Sequence, residues 1–168
     1  MDAETPHDED QPYDIRVACA DAAAPTDAGV DIDCARIAAA LRRVLALQDV
    51  TTAALSVAIV DDATMTDLHD RYMNIPEPTD VLTFDLSDEG DARRVDGEIV
   101  VCIDVAQREA AARGHALADE LLLYAVHGCL HLLGYDDLTP EDSARMHARE
   151  DELLTELGIG PVYRSAAS

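Results

Sequence analysis

The chain has 168 residues, a length typical of one domain that buries about two-thirds of the surface exposed by its unfolded chain. Its 35 acidic residues outnumber 12 basic residues, all of them arginine, which gives a formal net charge of −23. Such a charge repels nucleic acid and anionic membranes, so a nucleic-acid function has to overcome this field locally.

The N-terminal segment and the cysteines indicate the compartment. Residues 1–12 are acidic and contain proline, and we expect them to be disordered. They lack the apolar run of a signal peptide, and the longest apolar run, 15 residues, is too short to span a bilayer. Four scattered cysteines without a C-x-x-C pair exclude a zinc ribbon and favour free thiols in a reducing environment. We therefore expect a cytoplasmic protein.

The first half of the chain predicts two strands and two helices. Residues 13–20 alternate apolar and polar side chains, as a strand does. Asp33 can cap a helix that extends to residue 48, and residues 54–60 form a short apolar strand. Residues 61–74 form a second helix that opens with acidic cap candidates. One face of this helix is expected to carry Met65, Leu68 and Tyr72.

The second half predicts two more strands and three more helices. The strands cover residues 78–86 and 98–105, on either side of a polar excursion. Thr139 is the predicted N-cap of the last helix, with Pro140 in its first turn. The three helices end at Gly114, Gly134 and Gly158. The whole is an α+β domain over residues 13–158, with a mixed sheet of about four strands, about five helices and a tail at 159–168.

The most informative stretch is "HGCLHLLGYDD", which runs from His127 to Asp137. Positions i and i+4 share a helix face, so His127 and His131 project side by side from an otherwise apolar helix. Gly134 is expected to end the helix in a left-handed conformation, and the chain can then bring Asp137 back towards the rings. Two imidazoles and a carboxylate suit Zn²⁺ and leave a fourth position for water.

Other interpretations of this stretch remain open. Two core histidines can also bond to the backbone or to each other, and the turn can simply end a helix. A metalloprotease of the H-E-x-x-H type has a glutamate base where this chain has Gly128, which disfavours a peptidase. Glycine in mid-helix costs about 1 kcal/mol relative to alanine. We therefore expect Gly128 to keep space beside the metal for a substrate, and Cys129 to lie in the core.

Three motifs resemble those of one known family. "HGCLHLLGYDD" is similar to the H-G-x-L-H-L-x-G-Y-D-H signature of the YbeY family, "PTDVLTF" at residues 78–84 to its P-T-D-V-L-S-F, and "DGEIVVCID" to its G-D-I-x-I-S strand. Order and spacing agree from about Val57 to Leu154. The resemblance implies a zincin-like helix in the core, with the metal in a cleft between this helix and a mixed sheet.

The resemblance also implies a function. Members of the YbeY family are metal-dependent endoribonucleases that cleave single-stranded RNA, mature the 3′ end of 16S ribosomal RNA and act in ribosome quality control. For this chain it implies one Zn²⁺ and an RNA substrate. Because the negative charge disfavours free RNA, we expect docking on the small ribosomal subunit or on a basic ribosomal protein. The alternative is a ribosome-associated assembly factor with a structural zinc ion and little or no nuclease activity.

The chain departs from the family pattern at two positions. Asp137 stands where the family has a third histidine ligand, with Asp136 as the fallback ligand and His147 as a more distant one. Met73 stands where the family has an arginine that can hold a phosphate. Arg71 is the candidate to replace that charge. Two residues are candidate general bases on motif position alone: Asp136 and Glu98.

Overall fold

The computed structural model describes residues 12–19, 32–87 and 93–160. We expect residues 1–12 to be disordered, but of these only residue 12 lies in the described part. Residues 161–168 of the tail also lie outside it. Within the described part the strands are β1 (Tyr13–Cys19), β2 (Thr52–Val60), β3 (Val81–Asp85) and β4 (Arg94–Cys102). The helices are α1 (Cys34–Leu47), α2 (Asp62–Met73), α3 (Ile103–Arg113), α4 (Leu117–Leu132) and α5 (Pro140–Glu156).

The four strands form one mixed sheet in the order β1-β2-β4-β3. β1, β2 and β4 are parallel, and β3 pairs antiparallel with β4 at one edge. Alternation along β4 divides the apolar side chains between two cores. Ile99 and Val101 join the larger core, which also contains residues of α1, α4 and α5, whereas Val100 and Cys102 join a smaller core with Met65 of α2. The predicted α+β fold is confirmed.

Local signals place the starts of α1 and α5 as predicted. The carboxylate of Asp33 accepts the Arg36 amide of α1 at 3.0 Å, and the hydroxyl of Thr139 accepts the Asp142 amide of α5 at 3.1 Å. The face of α2 that carries Met65, Leu68 and Tyr72 is buried only in part. Met65 is 0% exposed, whereas Tyr72 is 60% exposed and rests edge-on against Phe84. Among the described helices, none has both the length and the apolar character needed to cross a membrane.

α4 packs unusually close to the sheet at Gly128, which is buried. A Cβ atom at this position would lie 2.7 Å from Cγ2 of Ile99 and 3.2 Å from side-chain methyl groups of Thr83 and Val81. The space beside Gly128 is thus filled by β3 and β4. This corrects the expectation that Gly128 leaves room for a substrate, and it fixes the helix that carries the histidines firmly on the sheet.

Candidate metal centre

The C-terminal end of α4 is closed by a two-bond turn. The amide of Tyr135 donates to the carbonyl of Leu130 at 3.0 Å, and the amide of Gly134 donates to that of His131 at 3.1 Å. Gly134 has φ +101°, a conformation that residues with a side chain rarely adopt. This Schellman arrangement reverses the chain immediately after the histidines, so that the next residues return towards the rings.

The reversal brings three ligand atoms together. Nε2 of His127 lies 3.1 Å from Nε2 of His131, and Oδ2 of Asp137 lies 3.7 Å and 3.6 Å from these two nitrogens. Across the described residues, these three side chains are the group with the composition and spacing to hold a metal ion. The histidine side chains are 18% and 26% exposed and that of Asp137 is 39% exposed, so the site opens to solvent on the aspartate side.

Hydrogen bonds on the far side of both rings decide which nitrogen carries the proton. Nδ1 of His131 donates to the carbonyl oxygen of Tyr135 at 3.1 Å, and Nδ1 of His127 donates to the carboxylate of Glu150 on α5. Both partners are acceptors, so each Nδ1 holds a hydrogen. In the neutral rings, each Nε2 is therefore left with a lone pair.

This donor set fits a divalent cation. With the hydrogens on Nδ1, two Nε2 lone pairs face each other at 3.1 Å beside a carboxylate oxygen, and none of the three atoms has a hydrogen to share. A tetrahedral zinc ion with ligands at about 2.0–2.1 Å keeps its ligand atoms about 3.4 Å apart, close to the separations found here. Metal-bound histidines ordinarily donate their other N–H to a carboxylate or a carbonyl, as both rings do here.

The electrostatic setting is negative. Burial opposes the charged form of His127, but the hydrogen bond and charge of Glu150, together with the charges of Asp80 and Asp137, outweigh it and raise the pKa of His127 above its ordinary value. A field that favours a positive charge on the ring also favours a bound cation.

Other candidate residues from the sequence lie elsewhere. Glu98 alternates with residues that face α4 and therefore points to the opposite face of the sheet. Arg71 is exposed and pairs with Asp67 at 3.1 Å, and Met73 is 58% exposed at the end of α2. The structure does not bring Glu98 to the histidines.

The remaining candidates lie near the site without joining the ligand group. Asp136 is exposed, and its Oδ1 accepts the amide of Leu138 at 3.0 Å, a bond that shapes the turn. Nδ1 of His147 lies 3.6 Å from Oε2 of Glu150, on the opposite oxygen from the one that His127 contacts.

Sequence reasoning missed two carboxylates that influence His127. Glu150 occupies the apolar stripe of α5, and a glutamate at a core position was the signal that could have singled it out. Asp80 lies in the "PTDVLTF" motif just before β3, and its charge reaches His127. Buried side chains of α5 around Glu150 are Met146, Asp151, Leu153 and Leu154.

Fold and site together define an α+β protein whose core helix bears a His-His-carboxylate group of the kind that serves metal-dependent hydrolases. The family model described as Endoribonuclease YbeY matches residues 25–158. Curated Endoribonuclease YbeY proteins from Mycobacterium tuberculosis (strain H37Rv) and Mycobacterium ulcerans (strain Agy99) are 41% and 39% identical to this chain, each alignment covering 77% of it and 79% of the relative. The chain belongs to the endoribonuclease YbeY family.

A solved structure shows the same fold. The solution structure of a Thermotoga maritima protein aligns with a TM-score of 0.55 over 89% of this chain and 95% of that protein. The two sequences are 23% identical, so this likeness concerns the arrangement of the backbone alone.

Proposed function

We propose that this chain is a metal-dependent endoribonuclease that cleaves single-stranded RNA and acts in the maturation of ribosomal RNA, at the 3′ end of 16S RNA and in ribosome quality control. His127, His131 and Asp137 would hold one Zn²⁺. Family membership supports the reaction, and the convergence of three ligand atoms within 4.8 Å of one another supports the site. The proposed location is the cytoplasm, where ribosomes and their RNA are found.

The proposed chemistry needs a metal ion, a general base and a nucleophile. A zinc ion held by these residues would polarise a phosphoryl oxygen and lower the pKa of a bound water molecule. Asp137 in place of a histidine reduces the charge of the loaded ligand set from +2 to +1, which weakens that polarisation moderately. Asp136 is the remaining candidate for a general base because it adjoins Asp137 on the open side of the site. The 2′-hydroxyl of RNA is the alternative nucleophile to water.

Binding of RNA has to overcome the net charge of −23. Free RNA would associate with this surface slowly, because like charges repel each other. The repulsion reaches over a Debye length of about 10 Å at 0.1 M salt and farther at lower salt, so association should be slowest at low salt. We propose that a basic protein of the small ribosomal subunit supplies the docking surface.

The experiment compares His131→Ala with His115→Ala, a histidine before α4 and outside the ligand group. We expect wild type and His115→Ala to carry one zinc ion per chain and to cleave a short labelled single-stranded RNA. His131→Ala should lose both properties while its circular dichroism stays unchanged. Full cleavage by metal-free His131→Ala would reject the site.

A second candidate function, a ribosome-associated factor with a structural zinc ion and little cleavage, is favoured by one specific observation. Met73 is exposed at the position where the family has arginine, so the charge of that arginine is absent. The guanidinium of Arg71, the candidate to replace it, forms a salt bridge with Asp67. Zinc-loaded wild type that fails to cleave RNA, together with strong cleavage by Met73→Arg, would support this second function. Strong cleavage by the wild type that Met73→Arg does not raise would exclude it.

A further inference from the structure

The feature that leads beyond the metal ligands is a fully buried glutamate. Glu150 lies on α5 among apolar core residues and is 0% exposed. Transfer of a carboxylate into such surroundings is costly unless it is hydrogen-bonded and paired. The partner of its Oε1 is Nδ1 of His127, 23 residues earlier in the chain. Its Oε2 lies 3.6 Å from Nδ1 of His147.

We propose that Glu150 is a positioning residue of the metal centre. By accepting the Nδ1 hydrogen of His127, it fixes the tautomer and the orientation of this ring, so that Nε2 points at the ion with its lone pair exposed. The inference rests on the proposed metal site and deepens it: α5, which supplies none of the three ligands, becomes part of the centre.

The two histidines are held in different ways, and the difference gives α5 its role. The partner of His131 is the carbonyl of Tyr135, four residues away in the turn that follows the same helix. The partner of His127 comes from another helix and carries a full charge. With both histidines neutral and Asp137 and Glu150 ionised, the three ligands, Glu150 and a divalent ion together carry no net charge. Glu150 therefore supplies the negative charge that balances the ion in the buried half of the site.

Glu150 is also suited to increase the basicity of His127. A carboxylate that accepts the N–H of a ligand imidazole strengthens the bond from the other nitrogen to a metal. Loss of such a partner typically lowers metal affinity by about 10- to 100-fold. An uncharged acceptor in the same place should keep the ring of His127 oriented but should strengthen its bond to the metal less than a carboxylate does.

The test measures the dissociation constant for Zn²⁺ alone, by competition with a chromophoric chelator, in three variants of the full chain. We expect Glu150→Ala to bind zinc about 10- to 100-fold more weakly than wild type. Glu150→Gln should lose less, because its amide oxygen can accept the same hydrogen bond. The matched control is Asp151→Asn, which changes the adjacent carboxylate of α5, 3% exposed, and should bind zinc as wild type does.

A second readout separates positioning from a merely structural role. In the zinc-loaded protein, the Nδ1 hydrogen of His127 should give a slowly exchanging, downfield proton resonance in wild type and Glu150→Gln. The resonance should be lost in Glu150→Ala, while circular dichroism and His131 signals stay unchanged. If Glu150→Ala does not fold, Glu150→Gln decides, since it should still bind more weakly than Asp151→Asn.

The measurements separate a failure of the proposed metal site from a failure of the proposed role of Glu150. Wild type that binds no zinc overturns the metal site and this inference together. Wild type that binds zinc, with affinity unchanged in both Glu150 variants, overturns the role of Glu150 alone. Equal losses in Asp151→Asn and Glu150→Gln would also overturn it, because the effect would then belong to α5 in general.

Discussion

Replacement of Gly128 by alanine tests whether this glycine exists for close packing of α4 on the sheet. The added methyl group would lie 2.7 Å from Cγ2 of Ile99, a distance that folded proteins essentially never show, so atoms have to move. Ile99 is fully buried on β4, an interior strand, and its branched side chain has few alternative rotamers. The methyl groups of Thr83 and Val81, at 3.2 Å, block the other directions.

Two opposing terms set the size of the effect. Alanine favours the helix over glycine by about 1 kcal/mol. Insertion of a methyl group into a well-packed core costs about 1–3 kcal/mol. Because the contact with Ile99 is so short, we place the packing cost in the middle of its range and expect Gly128→Ala to be less stable by about 1 kcal/mol.

Urea denaturation of the metal-free protein measures this difference as a lower midpoint with an unchanged slope. The double variant with Ile99→Ala identifies the cause. Ile99→Ala removes Cγ2, so the methyl group added by Gly128→Ala should be accommodated in the space that is left. The double variant should then be destabilised by less than the sum of the two single changes. Zinc affinity should change little in the double variant.

A different result would refute the packing role. If Gly128→Ala raises the free energy of unfolding by about 1 kcal/mol, as helix propensity alone dictates, the methyl group meets open space. If cleavage of RNA then falls while stability rises, Gly128 keeps room for a substrate after all.

Three further outcomes are expected. Thr139→Ala, which removes the cap of α5, should lower the free energy of unfolding by about 1 kcal/mol in urea titrations, whereas no change would mean that the cap is replaced by water. Burial raises the pKa of the Cys129 thiol from 9.0 to about 12, so the unfolded state loses this proton first and stability should fall as pH rises from about 9 towards 12. Denaturation across that range should show a smaller fall in Cys129→Ala, and an identical slope would contradict the shift. Asp137→His restores the family ligand and one unit of charge, so it should increase cleavage of single-stranded RNA at saturating zinc; a loss of zinc would show that the turn is shaped for aspartate.

Much of the fold was predictable because its signals are local. Asp33 and Thr139 act as caps within their own first turns, and Gly134 closes α4 through bonds that reach five residues back. The pairing of His127 and His131 likewise follows from helix geometry.

The rest depends on contacts between segments that are far apart in sequence. The acceptor for His127 lies 23 residues away on α5, and the methyl groups around Gly128 come from β3 and β4. No periodicity within one segment encodes such neighbours. Tyr72 shares a helix face with the buried Met65 but lies where α2 extends past the smaller core, so helical spacing alone does not tell which residues of that face are buried. The alternation of β4, by contrast, would have assigned Glu98 to the face away from α4.

The most direct measurement is anomalous X-ray scattering at the zinc edge, from crystals of protein purified without chelators. We expect one peak per chain, about 2.0–2.2 Å from Nε2 of His127, Nε2 of His131 and a carboxylate oxygen of Asp137. A folded protein with no peak between these side chains, or with zinc held elsewhere, would contradict the assignment of a metal centre to the end of α4.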